Sequence, residues 1–432
     1  MSSLQMRQSV PGRQPAPRSG VTAALDIGST KIACFLANPA GGEPGPMRIA
    51  GVGHQPARGV RNGVVIDRAA AAASIGAAVR QAERMAGAAV SELVVSVSGF
   101  GLKAARLAGE THVGPGDIAE RDARRVIQAA LAQRRHDGRQ VLHAAPVCYA
   151  VDGAPGVRDP RGMVGQRLDV SLSIVTAPQT VLRNLSLCVE DAGYLVRAAV
   201  AAPYAAALSA LVDDERERGA VCIDMGGGLT TAAVFADGAL AHVDGVPLGG
   251  AHVTGDIAHG LGASFADAER LKTMFGTVLA SPYEDQEHVD VPVIADDGGQ
   301  SVIQQPRSLL TGMIRPRVEE TLELLRDRLR VAGVDRSAAG RRIVLTGGGA
   351  QLTGVRELAA RVFETQVRLG RPLHFLGLAD AVSGPAFAGA AGLLRWGADR
   401  PSDLAQRALE EARTPAGMVG RAVAWVRDHF WA

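Results

Sequence analysis

The chain has 432 residues, enough for two or more domains around a large core. Its formal charge of +2 excludes the strongly basic balance of a protein that coats nucleic acid, so no nucleic-acid partner is expected. Hydrophobic residues make up 47% but aromatics only 4%, with Ala and Gly abundant, which fits a soluble α/β protein.

Residues 1–20 are rich in Ser, Gln, Arg and Pro and lack the apolar stretch of a signal peptide, so a disordered N-terminal tail is expected. Val21 to Leu25 and Ile32 to Leu36 read as two strands of a hairpin. Residues 49–53 and 60–66 read as strands, and Asp67 as the N-cap of an alanine-rich helix to about Met85. A buried strand covers 93–98. Residues 102–178 differ in character and predict strand 105–113, helix 117–134 capped by Asp117, strand 140–151, a loop at 152–166 and strand 167–177. Helix 179–193 closes on Gly193, strand 194–200 follows, and Pro203 opens helix 203–212.

A second hairpin occupies 220–236, and Asp237-Gly238 turns the chain into strand 239–246. Helices are expected at 251–259 and 265–275, short strand-like pieces at 281–304, and a helical region at 307–331 that Pro316 should kink or split. Strand 343–345 leads into a glycine turn and then a helix from about Leu352. A small-residue helix covers 383–397, a polar linker 398–414, and a final helix 415–432. The longest apolar run, Ala198 to Val212, is too short to span a bilayer and contains Pro203, so no transmembrane helix is expected. The four cysteines, Cys34, Cys148, Cys188 and Cys222, form no C-x-x-C and read as free thiols. The ten histidines show no metal-ligand spacing.

Three turns carry the chemistry. The first hairpin turns through Asp26, Gly28, Ser29, Thr30 and Lys31. Gly28 lets backbone approach a ligand, Ser29 and Thr30 can donate to phosphate oxygens, and Lys31 adds charge. Asp26 is placed to hold a hydrated Mg²⁺. Alone, this stretch also fits an Asp-rich turn with no ligand. The second hairpin repeats the pattern with Asp224, Gly226, Gly227, Gly228 and Thr230. Two such turns suggest two related halves facing one nucleotide, with Asp26 and Asp224 reaching Mg²⁺ through water. The third turn, Gly347, Gly348 and Gly349, follows a strand and could let an adenine or ribose lie against backbone, with a helix N-terminus beyond it favouring phosphate.

The order of these turns resembles the phosphate-1, phosphate-2 and adenosine motifs of the actin/Hsp70/hexokinase superfamily. The resemblance implies an α/β, actin-like two-lobed ATPase fold (duplicated ribonuclease H-like domains), each lobe a five-stranded sheet with helices, closing on ATP. It also implies that Glu269 meets the ribose and that Lys272 lies near the adenine; read from spacing alone, the two fit an i,i+3 surface ion pair.

Within that superfamily the chain is most similar to the FtsA family of bacterial cell-division proteins, over about residues 21–432. The segment 102–178 stands where that family carries its 1C insert, and 153–168 resembles part of it. The implied division is 1A at 21–101 and 179–220, 1C at 102–178, 2A at 221–255 and 341–397, and 2B at 256–340. The implied function is an ATP- and Mg²⁺-binding protein that polymerises on the inner face of the bacterial cytoplasmic membrane at midcell. There it tethers FtsZ, whose C-terminal tail docks on 2B, and meets other division proteins. Arg317 and Glu320 are the candidate contacts, although an exposed helix face of this kind is more often merely solvated.

In the last helix Val419, Val423, Val426 and Phe430 share one face, with Trp425 and Trp431 beside it and Arg421 and Arg427 on the flanks. Such a helix can lie in an anionic membrane surface; it can also dock on the chain's own core. A single weak membrane contact binds marginally, so stable attachment would need linked copies and therefore filaments. Ala202 occupies the place where Hsp70-like members carry a water-positioning carboxylate, which predicts slow ATP hydrolysis or none. A pilus-assembly ATPase would share both hairpins but not the insert or the terminal helix, and a small-molecule kinase would need a catalytic Asp that the sequence does not display.

Overall fold

Each Asp-led hairpin seeds its own sheet. The computed structural model describes residues 20–38, 47–99, 101–134, 137–294, 300–373, 375–399 and 404–413. The expected N-terminal tail and the terminal amphipathic helix, with Val419, Val423, Trp425, Val426, Phe430 and Trp431, lie outside them. In the first lobe β1 (Thr22–Ile27) pairs antiparallel with β2 (Lys31–Asn38), which pairs with β3 (Met47–Pro56). A small hairpin, β4 (Val60–Arg61) and β5 (Val64–Val65), replaces the single expected strand, because Asn62 and Gly63 are both left-handed. Helix α1 (Arg68–Ala86) follows, and β6 (Glu92–Val97) returns parallel to β1. Asp67 caps α1 as expected, accepting from the Ala70 N–H at 3.0 Å. Asp67→Ala should lower the urea midpoint by the equivalent of about 1 kcal/mol.

The insert between β6 and the next helix is a sheet in the order β7-β10-β8-β9, built from β7 (Lys103–His112), β8 (Arg139–Val151), β9 (Ala154–Val157) and β10 (Arg167–Pro178). Helix α2 (Glu120–Ala132) packs on it through Val126, Ile127 and Ala130. Two expectations change here. Asp117 bridges to Val164, and Asp122 caps the helix instead by accepting from the Ala119 N–H. The expected loop at 152–166 contains β9.

Helix α3 (Gln179–Asp191) leads back to the first sheet, where β11 (Leu195–Ala201) pairs parallel with β6. Gly193 between them has φ 91°, as a C′ glycine should. Helix α4 (Ala202–Ala210) starts at once and α5 (Asp213–Arg218) follows. The second lobe is the sheet β14-β13-β12-β17-β18, formed by β12 (Ala220–Met225), β13 (Thr230–Ala236), β14 (Ala239–Val246), β17 (Ile343–Thr346) and β18 (Val367–Leu369). Asp237 and Gly238, both left-handed, make the tight β13–β14 turn. Between β14 and β17 come α6 (Gly250–Leu261), α7 (Phe265–Phe275), the hairpin β15 (His288–Ile294) and β16 (Gln300–Pro306), and α8 (Arg307–Val331). The division set at residue 255/256 therefore falls inside α6.

Pro316 does not split α8. Pro316 and Gly312, whose carbonyl the proline leaves without a helical partner, are both exposed, so water can satisfy that oxygen. Leu310, Ile314, Val318, Leu322 and Leu325 form one buried stripe along the unbroken helix. After β17 comes a 3₁₀ turn at Gly348–Gln351, and α9 (Val355–Phe363) begins beyond it.

The chain then crosses back. Strand β19 (Phe375–Leu376) pairs with β3, giving the first lobe six strands rather than five. Helix α10 (Ala388–Asp399) packs against α4, β1 and β6, so 375–397 joins the first lobe instead of 2A. Small residues allow this: a Cβ on Gly392 would fall 1.6 Å from the Ala205 carbonyl oxygen. The expected linker at 398–414 is also wrong in its middle. Residues Leu404–Arg413 form α11, whose Ala405, Ala408 and Leu409 are buried against the insert with α2 and β8. Their spacing is a short helical stripe that reads as polar sequence because two of its three members are alanine.

The site between the lobes

Strand pairing brings the two aspartates together. Asp26 lies next to last in β1 and Asp224 next to last in β12, each opposite a small or polar residue (Ala33 and Thr231) of its own hairpin. They open on a cavity of about 210 Å³ between the lobes, lined also by Gly28, Ser29, Thr30, Lys31, Gly226, Gly227, Gly228, Gly347 and Gly348. The two turns touch: a Cβ on Gly227 would lie 2.4 Å from Thr30 Cγ2, and one on Gly228 2.6 Å from Ser29 Oγ. Gly347 has φ +86°, and a Cβ there would come within 2.3 Å of Asp224 Oδ1, so only glycine fits beside that carboxylate.

The charges are held under tension. Burial raises the Asp26 carboxyl, opposed by the Ser96 hydroxyl and then by Lys31. Burial pushes Asp224 up to about 7, with Asp26 adding to the shift and Lys31 opposing it. Burial brings Lys31 down to about 8 against the pull of both aspartates. The Lys31 ammonium donates to the Ala386 carbonyl at 2.7 Å and lies 3.3 Å from the Phe387 ring centroid. One ammonium thus faces two carboxylates in a partly enclosed, glycine-lined space. That donor set suits a hydrated divalent cation, and the turns suit the phosphates it would accompany. Among the described residues no cluster of three His, Cys, Asp or Glu could bind a metal directly.

Several expected residues sit elsewhere. Thr230 is buried and donates to the Leu248 carbonyl at 2.9 Å. Thr231, cross-strand from Asp224, lines the cavity in its place, because side chains alternate along β13. Gly349 packs on Met225 and is not in the lining. The helix expected from about Leu352 begins at Val355, after the 3₁₀ turn at Gly348–Gln351, so its N-terminus is set back from the third glycine turn. Glu269 and Lys272 are not in the lining either. Lys272 Nζ donates to Thr254 Oγ1 at 2.7 Å, Glu269 Oε2 at 2.7 Å and the Gly250 carbonyl at 3.0 Å, and Thr254 also bonds Glu269.

Arg317 pairs with Asp256 through two bonds of 2.6 and 3.1 Å and with Glu320 at 2.6 Å, so it is engaged within the chain. Ala202, Ser98, Pro385, Ala386 and Gly389 also line the wall, and a Cβ on Gly389 would lie 2.7 Å from Asp26 Oδ2. Of these, only Ala202 was marked by a sequence signal. All four cysteines are free, and three are buried. No described helix is long and apolar enough to cross a membrane.

A family model described as "Cell division protein FtsA" matches residues 221–392, and one described as "SHS2 domain inserted in FTSA" matches residues 99–176, the β7–β10 insert. The cell division protein FtsA of Rhizobium meliloti (strain 1021) is 43% identical over 388 residues, 88% of each chain. That of Agrobacterium fabrum is 41% identical over 424 residues, 96% of each chain, and that of Escherichia coli K12 is 34% identical over 417 residues, 94% of this chain and 97% of the other. Among solved structures, the PilM–PilN type IV pilus biogenesis complex superposes with a TM-score of 0.64 at 17% identity, over 89% of this chain and 100% of the other. MreB5 of Spiroplasma citri bound to ADP superposes with 0.53 at 13% identity, over 88% and 97%. The superpositions establish an actin-like fold shared with a pilus-assembly protein, and the sequence relatives decide between families. The chain belongs to the FtsA family of cell division proteins, with that family's SHS2 insert in an actin-like fold.

Proposed function

We propose that the chain binds Mg-ATP between its lobes, polymerises on the inner face of the cytoplasmic membrane and tethers FtsZ filaments there during septum formation. The observation that carries this reading is the pair of Asp-led turns meeting across one cavity. Ser29, Thr30 and the amides of both turns would hold phosphates, Lys31 would add charge, and Asp26 and Asp224 would hold Mg²⁺ through water. Bound there, Mg²⁺ would neutralise phosphate charge and relieve the two half-buried carboxylates. A fold neighbour, MreB5, has structures bound to ADP and to AMPPNP, which supports nucleotide as the ligand. Glu269 and Lys272 would serve the nucleoside end only after Lys272 exchanges one of its present acceptors.

Hydrolysis should be slow. The carboxylates of the lining are Asp26 and Asp224, both assigned to the cation, and Ala202 offers no base to orient water. Phosphate release at saturating Mg-ATP should run orders of magnitude below the about 10 s⁻¹ of an ordinary enzyme. The FtsZ tail would dock on the 256–340 region. Because Arg317 is held by Asp256, a partner carboxylate there must displace Glu320. The direct test mixes FtsZ filaments, vesicles containing anionic lipid, Mg-ATP and the full chain. FtsZ should pellet with the vesicles only when the chain is present, and electron microscopy should show filaments of the chain on them. FtsZ left in the supernatant would overturn the tethering role.

A further inference from the structure

The insert grips both lobes and the C-terminal helix at once. His143 of β8 is buried, and its Nε2 accepts the Ala201 N–H at 2.9 Å. Its ring stands edge-on to Tyr204 of α4 (4.8 Å between centroids) and to Trp396 of α10 (6.3 Å). The residue after Ala201 is Ala202, which lines the cavity, as does Gly389 near the start of α10. Since Gly392 and Ala205 lock these helices at backbone contact, they move as one body. On the other side, Ser173 of β10, also buried, donates to the Ala241 carbonyl of β14 in the second lobe at 3.0 Å.

The third grip lies on the residues flanking His143. Val175 pairs with His143 but Thr176 with Val141, so Leu142 is an extra residue in β8. Strand β9 reaches only Tyr149–Val151, which leaves the outer edge of β8 open at 142–144. Gln406 of α11, buried, closes it. Its Nε2 donates to the Leu142 carbonyl at 3.5 Å, and its Oε1 accepts the Ala144 N–H at 3.4 Å. The carboxamide stands in for the missing strand.

The geometry points to the insert as a link between the cavity and docking of α11, with His143 as the positioning residue; this rests on the nucleotide reading above. The turns touch at Thr30 and Gly227, so phosphates entering between them would press them apart. Parting the lobes changes the separation of Ala201 and Ala241, which the insert now spans through His143 and Ser173. The insert must shift, and the bulge at Leu142 is where β8 can yield. Gln406 is bonded on either side of that position. Nucleotide occupancy therefore changes how firmly α11 is held, and α11 leads directly into residues 414–432.

The test is hydrogen exchange of the full chain with and without Mg-AMPPNP, with a binding titration in parallel. Peptides over 404–413 should change their exchange rate by about fivefold or more on nucleotide binding, the lower end of usual coupling strengths. His143→Leu should reduce that change below about twofold, whereas His143→Gln, which keeps an acceptor, should restore it. A merely structural His143 would lower the melting temperature while leaving the nucleotide response intact, and that result overturns the proposal. Because coupling is reciprocal, Gln406→Ala, which weakens docking, should shift Mg-AMPPNP affinity by up to that factor, and an unchanged affinity with α11 undocked would overturn the link. Nucleotide that binds without changing exchange at 404–413 overturns the link alone. No binding in the titration overturns the nucleotide reading and the link together.

Discussion

Asp224→Asn should stabilise the nucleotide-free chain at pH 8 while weakening Mg-ATP binding by more than about a hundredfold. The two effects share one cause. The folded-state carboxyl of Asp224 is raised from 3.8 to about 7. A raised carboxyl contributes stability that is present in full below the unfolded value and is lost as pH rises through the folded one. The nucleotide-free protein should therefore lose stability between about pH 4 and pH 8, by about 2–4 kcal/mol from this group at 1.36 kcal/mol per unit. Asparagine is isosteric and never ionises, so the variant should lose this part of the pH dependence. Lys31 retains Asp26 as its counter-charge. Binding moves the other way, because a hydrated divalent cation draws on the negative charge that asparagine lacks. Thermal melts from pH 5 to pH 8, with isothermal titration of Mg-ATP at pH 8, read both arms. A variant that melts lower than the parent at pH 8 would contradict the assigned strain. One that binds Mg-ATP as the parent does would remove Asp224 from the site.

The same opposition explains why such a site persists in a stable fold. The carboxylates are disfavoured in the protein alone, and a bound cation would relieve them, so ligand binding would draw on a reservoir of electrostatic strain. Glycine lining is the geometric counterpart. At Gly347 and Gly389 a methyl group would meet an aspartate oxygen at 2.3 and 2.7 Å, and at Gly227 it would press on Thr30.

What was legible in the sequence was what local chemistry fixes. Asp67 and Gly193 terminate helices through bonds within a few residues. The Asp237-Gly238 turn requires two left-handed residues, and both hairpins place an Asp at the strand end. What was not legible depends on distant partners. Lys31 finds the Ala386 carbonyl, 355 residues away, and no periodicity signals that pairing. Thr231 instead of Thr230 faces the cavity by a parity fixed only when β12 and β13 pair. How much Pro316 disturbs its helix depends on whether the carbonyl it frees at Gly312 can reach water, and exposure at Gly312 is a tertiary fact. The stripe Ala405, Ala408 and Leu409 is too weakly apolar to announce itself, yet it docks because Gln406 completes an open strand edge.

That docked helix sharpens the final expectation. A chain ending at Arg413 should fold and bind nucleotide as the full chain does but fail to pellet with anionic vesicles. The cut preserves α11, whose buried residues belong to the insert's core. A cut at residue 397, at the start of what reads as linker, would strip α11 away and expose Leu142 and Ala144 at the β8 edge. Loss of membrane binding would then be confounded with damage to the insert. If the removed segment forms the helix its spacing predicts, Val419, Val423, Val426 and Phe430 would share a face beside Trp425, with Arg421 and Arg427 on the flanks. Each such helix would contribute a weak, salt-sensitive attraction, and only copies linked in a filament would hold firmly. Pelleting of the full chain should thus rise steeply with protein concentration and fall with added salt, while the shortened chain stays in the supernatant throughout. Equal pelleting of the two would remove the membrane role from 414–432, and pelleting of the full chain that neither steepens with concentration nor weakens with salt would separate membrane binding from assembly.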